Sequence, residues 1–328
     1  MRTVAASLVF FGLLILAGTL VGCGDSGSEG QSADKAGQAA AELAEGAGVV
    51  IGVSLLTRTH PFYQDLEVGL QTAADERGYE LIIQAGEFDV ARQKDQIENF
   101  LVRQVDAIIV SPCDSKSIGT SIQAANEAGI PVFTADIAVL AAGAEVVCHV
   151  ASDNRGGGRL AADAVIEALG GQGQVAIIDH PEVESVIERV AGFEEQLRTA
   201  PDVEVVAKLT GRGVKDMAFH TAEDLLQAHP DLDAIFGIND DSALGALAAV
   251  EKAGKLGQVV IVGYDAVPEA RRAIAEGKIY ADVIQNPLLI GRETIRAVES
   301  YLTGAWTPPL VHTECKLFRQ EDALTETE

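Results

Sequence analysis

Three polar residues, Asn239, Asp240 and Asp241, separate an apolar run from a run rich in Ala and Leu. The apolar run, residues 233–238, is typical of a short buried strand, and residues 242–252 are typical of a helix. One of the three can cap the helix, because a short side-chain oxygen accepts hydrogen bonds from the free N–H groups of a first turn. At least one planar polar group then remains at the carboxyl end of a strand, where open α/β sheets bind their ligands.

Two further groups of polar and aromatic residues follow predicted strands. Residues 57–63 (TRTHPFY) come directly after the first strand, and Asp136 ends the fourth. Both are expected at strand carboxyl ends, on one crevice. Side chains of these types can donate and accept hydrogen bonds and can pack an aromatic ring against an apolar face, so they favour binding of a small polar molecule.

The elements that must position these residues alternate between strand and helix. A first series has predicted strands at residues 49–56, 80–86, 107–112, 131–136 and 145–152, with helices at 61–77, 89–103 and 118–128. A second series has helices at 159–169, 185–197, 216–228, 242–253, 268–276 and 289–302, strands at 174–179, 203–208, 234–238, 259–264 and 281–284, and an extended piece at 315–318. Such alternation predicts doubly wound parallel sheets, and the similar order of the two series predicts two similar lobes.

Composition excludes several classes of function. The 328 residues are enough for two domains, and 48% of them are hydrophobic. A net charge of −25 argues against nucleic-acid binding and against adhesion to anionic lipid. The six histidines show no HExxH spacing, the four cysteines form no CxxC pair, and no GxSxG occurs, so neither a metal site nor a hydrolase is expected.

The N-terminus indicates export. Arg2 precedes an uncharged run with an apolar centre at residues 8–17, which is the outline of a signal peptide. Residues 20–23 (LVGC) resemble the lipobox of bacterial lipoproteins, which implies a signal peptide over residues 1–22 and a lipidated Cys23; an uncleaved membrane anchor is the alternative. The remainder of residues 23–48 has one large aliphatic residue and is expected to be a flexible tether.

Six segments carry a resemblance to a known family. They are residues 60–69 (HPFYQDLEVG), 151–158 (ASDNRGGG), 188–193 (ERVAGF), 238–247 (INDDSALGAL), 262–270 (VGYDAVPEA) and 284–291 (IQNPLLIG). In order and spacing they resemble the periplasmic sugar-binding proteins of ABC transporters, in the ribose-binding subgroup. The resemblance implies the type I fold of that family, in which three crossings, near residues 151–154, 285–287 and 312–314, form a hinge between two lobes. The implied lobes are residues 49–152 plus 286–312 and residues 153–285 plus 313–328.

The resemblance also implies a set of ligand-binding residues. By family position they are His60, Phe62, Tyr63, Asp136, Arg189, Asn239, Asp265 and Gln285. The two aromatic rings would stack on the C–H faces of a sugar and the polar side chains would hydrogen-bond its hydroxyls. Each also has a plain structural explanation: a hydrophobic staple for the aromatics, turn formation for the aspartates, a solvated helix position for the arginine, a helix cap for the asparagine and a hinge position for the glutamine.

Two departures from the ribose-type pattern put ribose itself in doubt. Ile137 stands where the pattern has an arginine, and Gly213 stands near the usual position of an aromatic residue, with Arg212 as the candidate replacement. A guanidinium offers a fork of donors that isoleucine cannot supply. A differently shaped monosaccharide or another small polyol is therefore expected.

The sequence thus predicts a binding protein without catalytic activity or cofactor. It would capture a small carbohydrate and deliver it to the permease of an ABC importer, as a monomer anchored by lipid in the periplasm or on the outer face of the cytoplasmic membrane. A sensor subunit for a chemotaxis or signalling receptor is the first alternative. The second is an exported NAD-dependent oxidoreductase, since residues 156–161 (GGGRLA) satisfy GxGxxA and Asp179 follows at a suitable distance. A further hypothesis is that Cys148 and Cys315 pair across the hinge.

Overall fold

The computed structural model describes residues 48–325, so the predicted signal peptide, Cys23 and nearly all of the tether lie outside the described residues. The strands are β1 (Val50–Leu55), β2 (Glu80–Ala85), β3 (Ala107–Val110), β4 (Val132–Ala135), β5 (Cys148–Ser152), β6 (Gln172–Asp179), β7 (Asp202–Thr210), β8 (Ala234–Gly237), β9 (Val260–Asp265), β10 (Ala281–Ile284), β11 (Leu310–Thr313) and β12 (Lys316–Arg319). The helices are α1 (Pro61–Asp75), α2 (Val90–Arg103), α3 (Gly119–Glu127), α4 (Asn154–Ala168), α5 (Glu184–Leu197), α6 (Lys215–Ala228), α7 (Asp240–Lys252), α8 (Pro268–Ala275), α9 (Pro287–Leu302) and α10 (Gln320–Thr325).

The strands of the described region form two six-stranded sheets of matching topology. Their orders are β11-β5-β4-β3-β1-β2 and β12-β10-β9-β8-β6-β7. All pairings are parallel except that of β10 with β12, which is antiparallel. The chain passes from the first sheet to the second after β5, returns after β10, and passes again between β11 and β12. The prediction of two doubly wound lobes joined by three crossings is confirmed, whereas the exact lobe boundaries stay a prediction.

Continuous apolar strands place the sheets inside the lobes. All four residues of β3 (AIIV) and of β4 (VFTA) are buried, as expected of strands covered by helices on both faces. In the second lobe, the rings of Phe193 on α5 and Phe236 on β8 stack with centroids 4.5 Å apart. Helix α9 packs closely on α1, which links the chain returning after β10 to the first lobe. No helix of residues 48–325 combines the length and apolarity that a membrane crossing requires.

Helix α4 begins five residues earlier than predicted, at Asn154 rather than Arg159. Asp153 caps it, because its Oδ1 accepts a hydrogen bond from the Gly156 N–H at 2.8 Å. The glycines of the GxGxxA motif therefore lie inside the helix. A Cβ on Gly158 would overlap the Arg189 carbonyl oxygen and lie 2.8 Å from its carbon. Close packing of α4 on α5 explains Gly158 without a dinucleotide, and the Asp153 cap explains Gly156, since a Cβ there would overlap an oxygen of that carboxylate.

The end of the chain also differs from prediction in detail. The predicted extended piece at residues 315–318 corresponds to β12, which pairs with β10 in the second sheet. The preceding strand β11, which pairs with β5 in the first sheet, was not predicted. The register of Thr313 with Ser152 places Cys148 four residues before that pair and Cys315 two residues after it. Six residues of strand span about 20 Å, well beyond disulfide reach. Both cysteines are free thiols, so the pairing hypothesis is wrong.

Candidate functional site

The turn after β1 directs His60 into the space between the lobes. His60 caps α1, and its Nδ1 accepts a hydrogen bond from the Phe62 N–H at 3.2 Å. The neutral ring then carries its proton on Nε2. Burial lowers the pKa of His60, an effect that Asp241 opposes and Arg189 reinforces. The buried Nε2 lies 3.6 Å from Asp265 Oδ2 and has no hydrogen-bond partner among the described residues, so it presents a donor.

Tyr63 and Asp136 join the ends of α1 and β4. The Tyr63 hydroxyl donates a hydrogen bond to Asp136 Oδ2 at 2.7 Å, so its role is more polar than the predicted stacking. The rings of Phe62 and Tyr63 meet edge to face, with centroids 5.2 Å apart. Burial raises the pKa of Asp136, against the opposing effects of Arg189 and of the Tyr63 hydrogen bond. Asp136 Oδ1 is buried and accepts no hydrogen bond from residues 48–325, which leaves an acceptor.

Arg189 on α5 is a buried cation and not a solvated helix residue. Its Nε donates to Asn154 Oδ1 and its Nη1 to the Ile238 carbonyl oxygen, both at 2.9 Å. The guanidinium carbon lies 3.9 Å from the centroid of the Tyr264 ring, and Nη1 lies 3.9 Å from Asp265 Oδ1. A guanidinium stays charged even when buried. Arg189 is therefore a fixed positive charge at the floor of the second lobe.

Asp265 and Gln285 end β9 and follow β10, two neighbouring parallel strands. Gln285 Nε2 donates to Asp265 Oδ1 at 2.6 Å. Burial raises the pKa of Asp265 to about 7, although Arg189 and the Gln285 hydrogen bond act in the opposite direction. Asp265 has φ +112°, a backbone conformation that residues other than glycine rarely adopt. The turn that follows β9 must therefore be held by its surroundings.

Asn239 has the capping role that its position predicts. Its Oδ1 accepts hydrogen bonds from the Ser242 N–H at 2.9 Å and from the Ser242 hydroxyl at 2.7 Å. Its Nδ2 donates to the Gly213 carbonyl oxygen at 3.1 Å. Asn239 thus fixes the start of α7 against the Gly213 turn and also lines the interlobe cavity.

One interlobe cavity of about 40 Å³ brings seven of the eight predicted residues together. They are His60, Phe62, Tyr63, Asp136, Arg189, Asn239 and Asp265. Gln285 instead lines a neighbouring groove of about 390 Å³, which also touches Phe62 and Asp265. Gln285 therefore acts on the cavity indirectly, by holding the Asp265 carboxylate. That each of these residues binds a ligand stays a prediction.

The two departures from the ribose-type pattern both line this cavity. Ile137 is buried beside Asp136 and contributes an apolar wall. Gly213 has φ +64°, and a Cβ there would lie 3.2 Å from Asn239 Nδ2. Arg212 is exposed and is absent from the cavity lining, so the expectation that it replaces an aromatic residue is wrong. The turn presents Gly213 to the cavity and leaves the Arg212 side chain in solvent.

Sequence reasoning missed several lining residues, among them Phe88, His180 and Ser185. Phe88 follows β2 by three residues, His180 follows β6 directly, and their ring centroids lie 6.3 Å apart. Applying the strand-end rule to every strand would have found these two. Ser185 lies in the first turn of α5, where the sequence gives no comparable signal.

A second set of contacts joins the lobes away from the three crossings. The Ser115 N–H donates to the Glu182 carbonyl oxygen at 3.0 Å, and the Ser115 hydroxyl accepts from the Glu184 N–H at 2.9 Å. The Glu184 carboxylate accepts from the Ala138 N–H at 3.3 Å. Ser115 and Ala138 belong to loops of the first lobe, and Glu184 begins α5 of the second. The lobes are therefore closed upon each other.

Residues 48–325 contain no group of three or more His, Cys, Asp or Glu side chains placed to hold a metal ion. The cavity instead combines two carboxylates, one guanidinium, an imidazole donor and aromatic rings. Such a set can hydrogen-bond a small polyhydroxyl molecule and pack against its C–H face.

Comparison with known proteins agrees with this geometry. Residues 51–305 match the family described as "Periplasmic binding protein domain". The ribose import binding protein RbsB of Bacillus subtilis is 34% identical over 272 residues, covering 83% of this chain and 87% of that protein. A solute-binding protein of Actinobacillus succinogenes with bound D-allose superposes with a TM-score of 0.78 at 28% identity, covering 84% of this chain and 99% of that one. The Caulobacter myo-inositol binding protein, with myo-inositol bound, gives 0.79 at 29% identity, covering 85% and 96%.

Proposed function

Because the chain belongs to the periplasmic binding protein family, we propose that it captures a small uncharged sugar or polyol between its lobes for delivery to an ABC importer. The proposal rests on two buried polar atoms at one cavity, the donor His60 Nε2 and the acceptor Asp136 Oδ1. Neither atom has a hydrogen-bond partner within residues 48–325. A sugar hydroxyl can satisfy either atom, since it donates one hydrogen bond and accepts others.

Charge narrows the class of solute. Asp136 and Asp265 face the cavity with Arg189 as the fixed cation, and Ile137 supplies no second guanidinium. An anionic solute would add negative charge to a buried site that already holds two carboxyl groups, which costs free energy. We therefore expect neutral monosaccharides and polyols to bind and sugar acids to be rejected.

Cavity size indicates that the lobes must move. The closed cavity of about 40 Å³ is far below the roughly 300 Å³ at which small-molecule pockets begin. A sugar ring therefore enters when the lobes separate, and the Ser115–Glu184 contacts must adjust when they close around it. Closure removes water from the polar groups of both lobes, so the full hydrogen-bond set forms in the closed state alone.

Export and anchoring belong to the same proposal. A permease in the cytoplasmic membrane can be served by a monomer tethered nearby, and residues 20–23 (LVGC) supply the attachment point at Cys23. Growth with labelled palmitate should label the wild type and leave Cys23→Ser unlabelled. Equal labelling of both would contradict lipidation at this residue.

A thermal-shift screen of the purified chain tests solute binding. D-Ribose, D-allose, myo-inositol and a wider set of pentoses, hexoses and polyols would be titrated, with sugar acids as the charged comparison. A ligand that binds only the folded state raises the melting temperature with its concentration. Asp136→Ala and Asp265→Ala should abolish the shift, and the exposed Asp224→Ala should keep it. No shift with any neutral polyol would overturn the carbohydrate proposal.

Uptake of the identified solute tests delivery. Deleting the gene should abolish import of the labelled solute by intact cells, and a plasmid copy should restore it. Unchanged uptake would separate solute binding from import and contradict the transport part of the proposal.

A further inference from the structure

The turn that carries Asp265 has an unfavourable backbone conformation. Asp265 has φ +112° and Ala266 φ +56°, in the region that favours glycine. The Asp265 carboxylate lies at the interlobe cavity, close to His60 and Arg189. Small changes in this turn would move that carboxylate, so the groups holding the turn also determine the geometry of the site.

Two buried carboxyl groups accept hydrogen bonds from the backbone of this turn. Asp282 Oδ1 accepts from the Ala266 N–H at 3.1 Å, and Asp240 Oδ2 accepts from the Val267 N–H at 2.5 Å. Both side chains are fully buried, and neither lines the interlobe cavity. Asp240 begins α7 and Asp282 lies in β10, so the turn after β9 is clamped by the elements on both sides of it.

The remaining oxygens of the two carboxyl groups face each other. A Cβ added to Gly263 would lie 2.5 Å from Asp282 Oδ2 and 3.1 Å from Asp240 Oδ1, so both oxygens lie over this glycine. The two groups are within hydrogen-bonding reach of each other, and neither oxygen has another partner in residues 48–325. Two carboxylates cannot donate to each other, so a hydrogen bond between them requires a proton.

None of the principal charged neighbours of the pair within residues 48–325 is a cation that could replace the proton and stabilise two ionised carboxylates. The other titratable group that acts strongly on the pair is Asp265, on β9, which is a third carboxyl group and raises the pKa of both. The groups that stabilise negative charge there are backbone N–H donors, of Val267 for Asp240 and of Ala266 and Val283 for Asp282. No cation of the described residues is among these principal neighbours.

We propose that Asp240 and Asp282 share one proton and act as positioning residues, which hold the Asp265–Val267 turn in its ligand-binding conformation. This inference rests on the proposed function for its effect on affinity, but its proton can be measured without any sugar. Burial raises the pKa of Asp240 well above its usual range, and it raises the pKa of Asp282 to about 7. Both directions agree with a pair that keeps a proton at neutral pH.

The sign of the pH dependence follows from this proton. The unfolded chain releases it near pH 4, whereas the folded pair retains it to a higher pH. Folding is therefore favoured at low pH, and this contribution is lost as the pH rises towards the raised pKa of the pair. In Asp282→Asn, the amide donates permanently to Asp240 Oδ1 while its oxygen still accepts from the Ala266 N–H, so the shared proton is no longer needed.

Urea unfolding of the ligand-free chain between pH 5.5 and 8.5 tests the shared proton. The folding equilibrium constant of the wild type should fall relative to that of Asp282→Asn by up to tenfold per pH unit. Asp240→Asn should behave in the same way, and the exposed Asp224→Asn should follow the wild type. Profiles of the wild type and both buried variants that run parallel over this range would overturn the proposal.

Affinity tests the positioning role. Calorimetry with D-ribose, D-allose and myo-inositol at pH 6.5 would compare Asp282→Asn with Asp282→Ala, which leaves the Ala266 N–H without an acceptor. Asp282→Asn should keep wild-type affinity, whereas Asp282→Ala should weaken binding at least tenfold while remaining folded. Equal affinity in the two variants would contradict positioning. Failure of all three probes in the wild type would count against the proposed function and leave the urea result as the test of the shared proton.

Discussion

Tyr63→Phe isolates one buried hydrogen bond at the interlobe cavity. The Tyr63 hydroxyl donates to Asp136 Oδ2 at 2.7 Å, and both residues are buried. A hydrogen bond to a charged group contributes roughly 1.5–3 kcal/mol, and loss of the donor leaves a buried carboxylate with neither oxygen paired in the described region. We expect the variant to lose about 2 kcal/mol of folding free energy at pH 8. For a chain of this size, that corresponds to a melting temperature lower by about 4 °C.

The pH dependence of this cost separates a lost hydrogen bond from a packing defect. Burial already raises the pKa of Asp136, and the Tyr63 hydrogen bond opposes that rise. Tyr63→Phe should raise the pKa of Asp136 further above its unfolded value. A raised pKa gives stability at low pH that is lost as the pH rises, so the variant should be closer to the wild type at pH 5 than at pH 8.

Urea unfolding at pH 5 and pH 8 measures both effects. Tyr301→Phe is the matched control, because Tyr301 is 45% exposed and lies away from the cavity. It should change the unfolding free energy by less than about 0.5 kcal/mol, as is usual for surface substitutions. A cost for Tyr63→Phe that is the same at both pH values would refute the electrostatic reasoning, and a cost no larger than the control would refute the hydrogen bond itself.

Three shorter predictions concern other parts of the site. Burial raises the pKa of Asp265 to about 7, so its protonated form favours folding below that pH, and Asp265→Asn should flatten the fall in unfolding free energy from pH 5 to pH 8. The same dependence of the urea unfolding free energy on pH in the variant and the wild type would argue against this shift. Gly158→Ala should lower the free energy of unfolding by about 2–3 kcal/mol, because the new methyl group would overlap the backbone of Arg189. A melting temperature equal to that of the wild type would show that α4 and α5 can move apart at little cost in free energy. Ser115→Ala removes the acceptor of the Glu184 N–H in the closed state, so affinity for the identified sugar should fall about fivefold, roughly 1 kcal/mol, while the free energy of unfolding in urea changes little. Unaltered affinity by calorimetry would mean that this contact does not contribute to closure.

The fold was predictable because local signals and tertiary structure agree. Apolar runs such as AIIV in β3 are buried strands, and His60 with Pro61, Asp89 and Asn239 start helices where capping rules place them. The start of α4 was missed because three consecutive glycines normally disfavour a helix. Packing overrides this preference, since Gly158 and neighbouring residues allow α4 to approach α5 closely.

The site was predictable in membership but not in roles. The strand-end rule and the family pattern together gave seven residues of the cavity. The sequence could not show that Tyr63 binds Asp136 through its hydroxyl, or that Gln285 holds Asp265 from a neighbouring groove. Nor could it show the Asp240–Asp282 pair, because the two residues are 42 positions apart and meet only when α7 and β10 pack around β9.

The distribution of charge between the lobes explains why closure and solute binding are coupled. The first lobe contributes Asp136 to the cavity, and the next residue, Ile137, carries no positive charge to balance the carboxylate. The second lobe contributes the positive charge of Arg189. When the lobes are apart, water can solvate the Asp136 carboxylate. Closure removes that water and brings Arg189 close, while the Tyr63 hydroxyl of the same lobe still donates to Oδ2, yet Asp136 Oδ1 lacks a donor within residues 48–325. Because a buried acceptor without a partner costs free energy, a solute hydroxyl that donates to this oxygen favours the closed state over the open one.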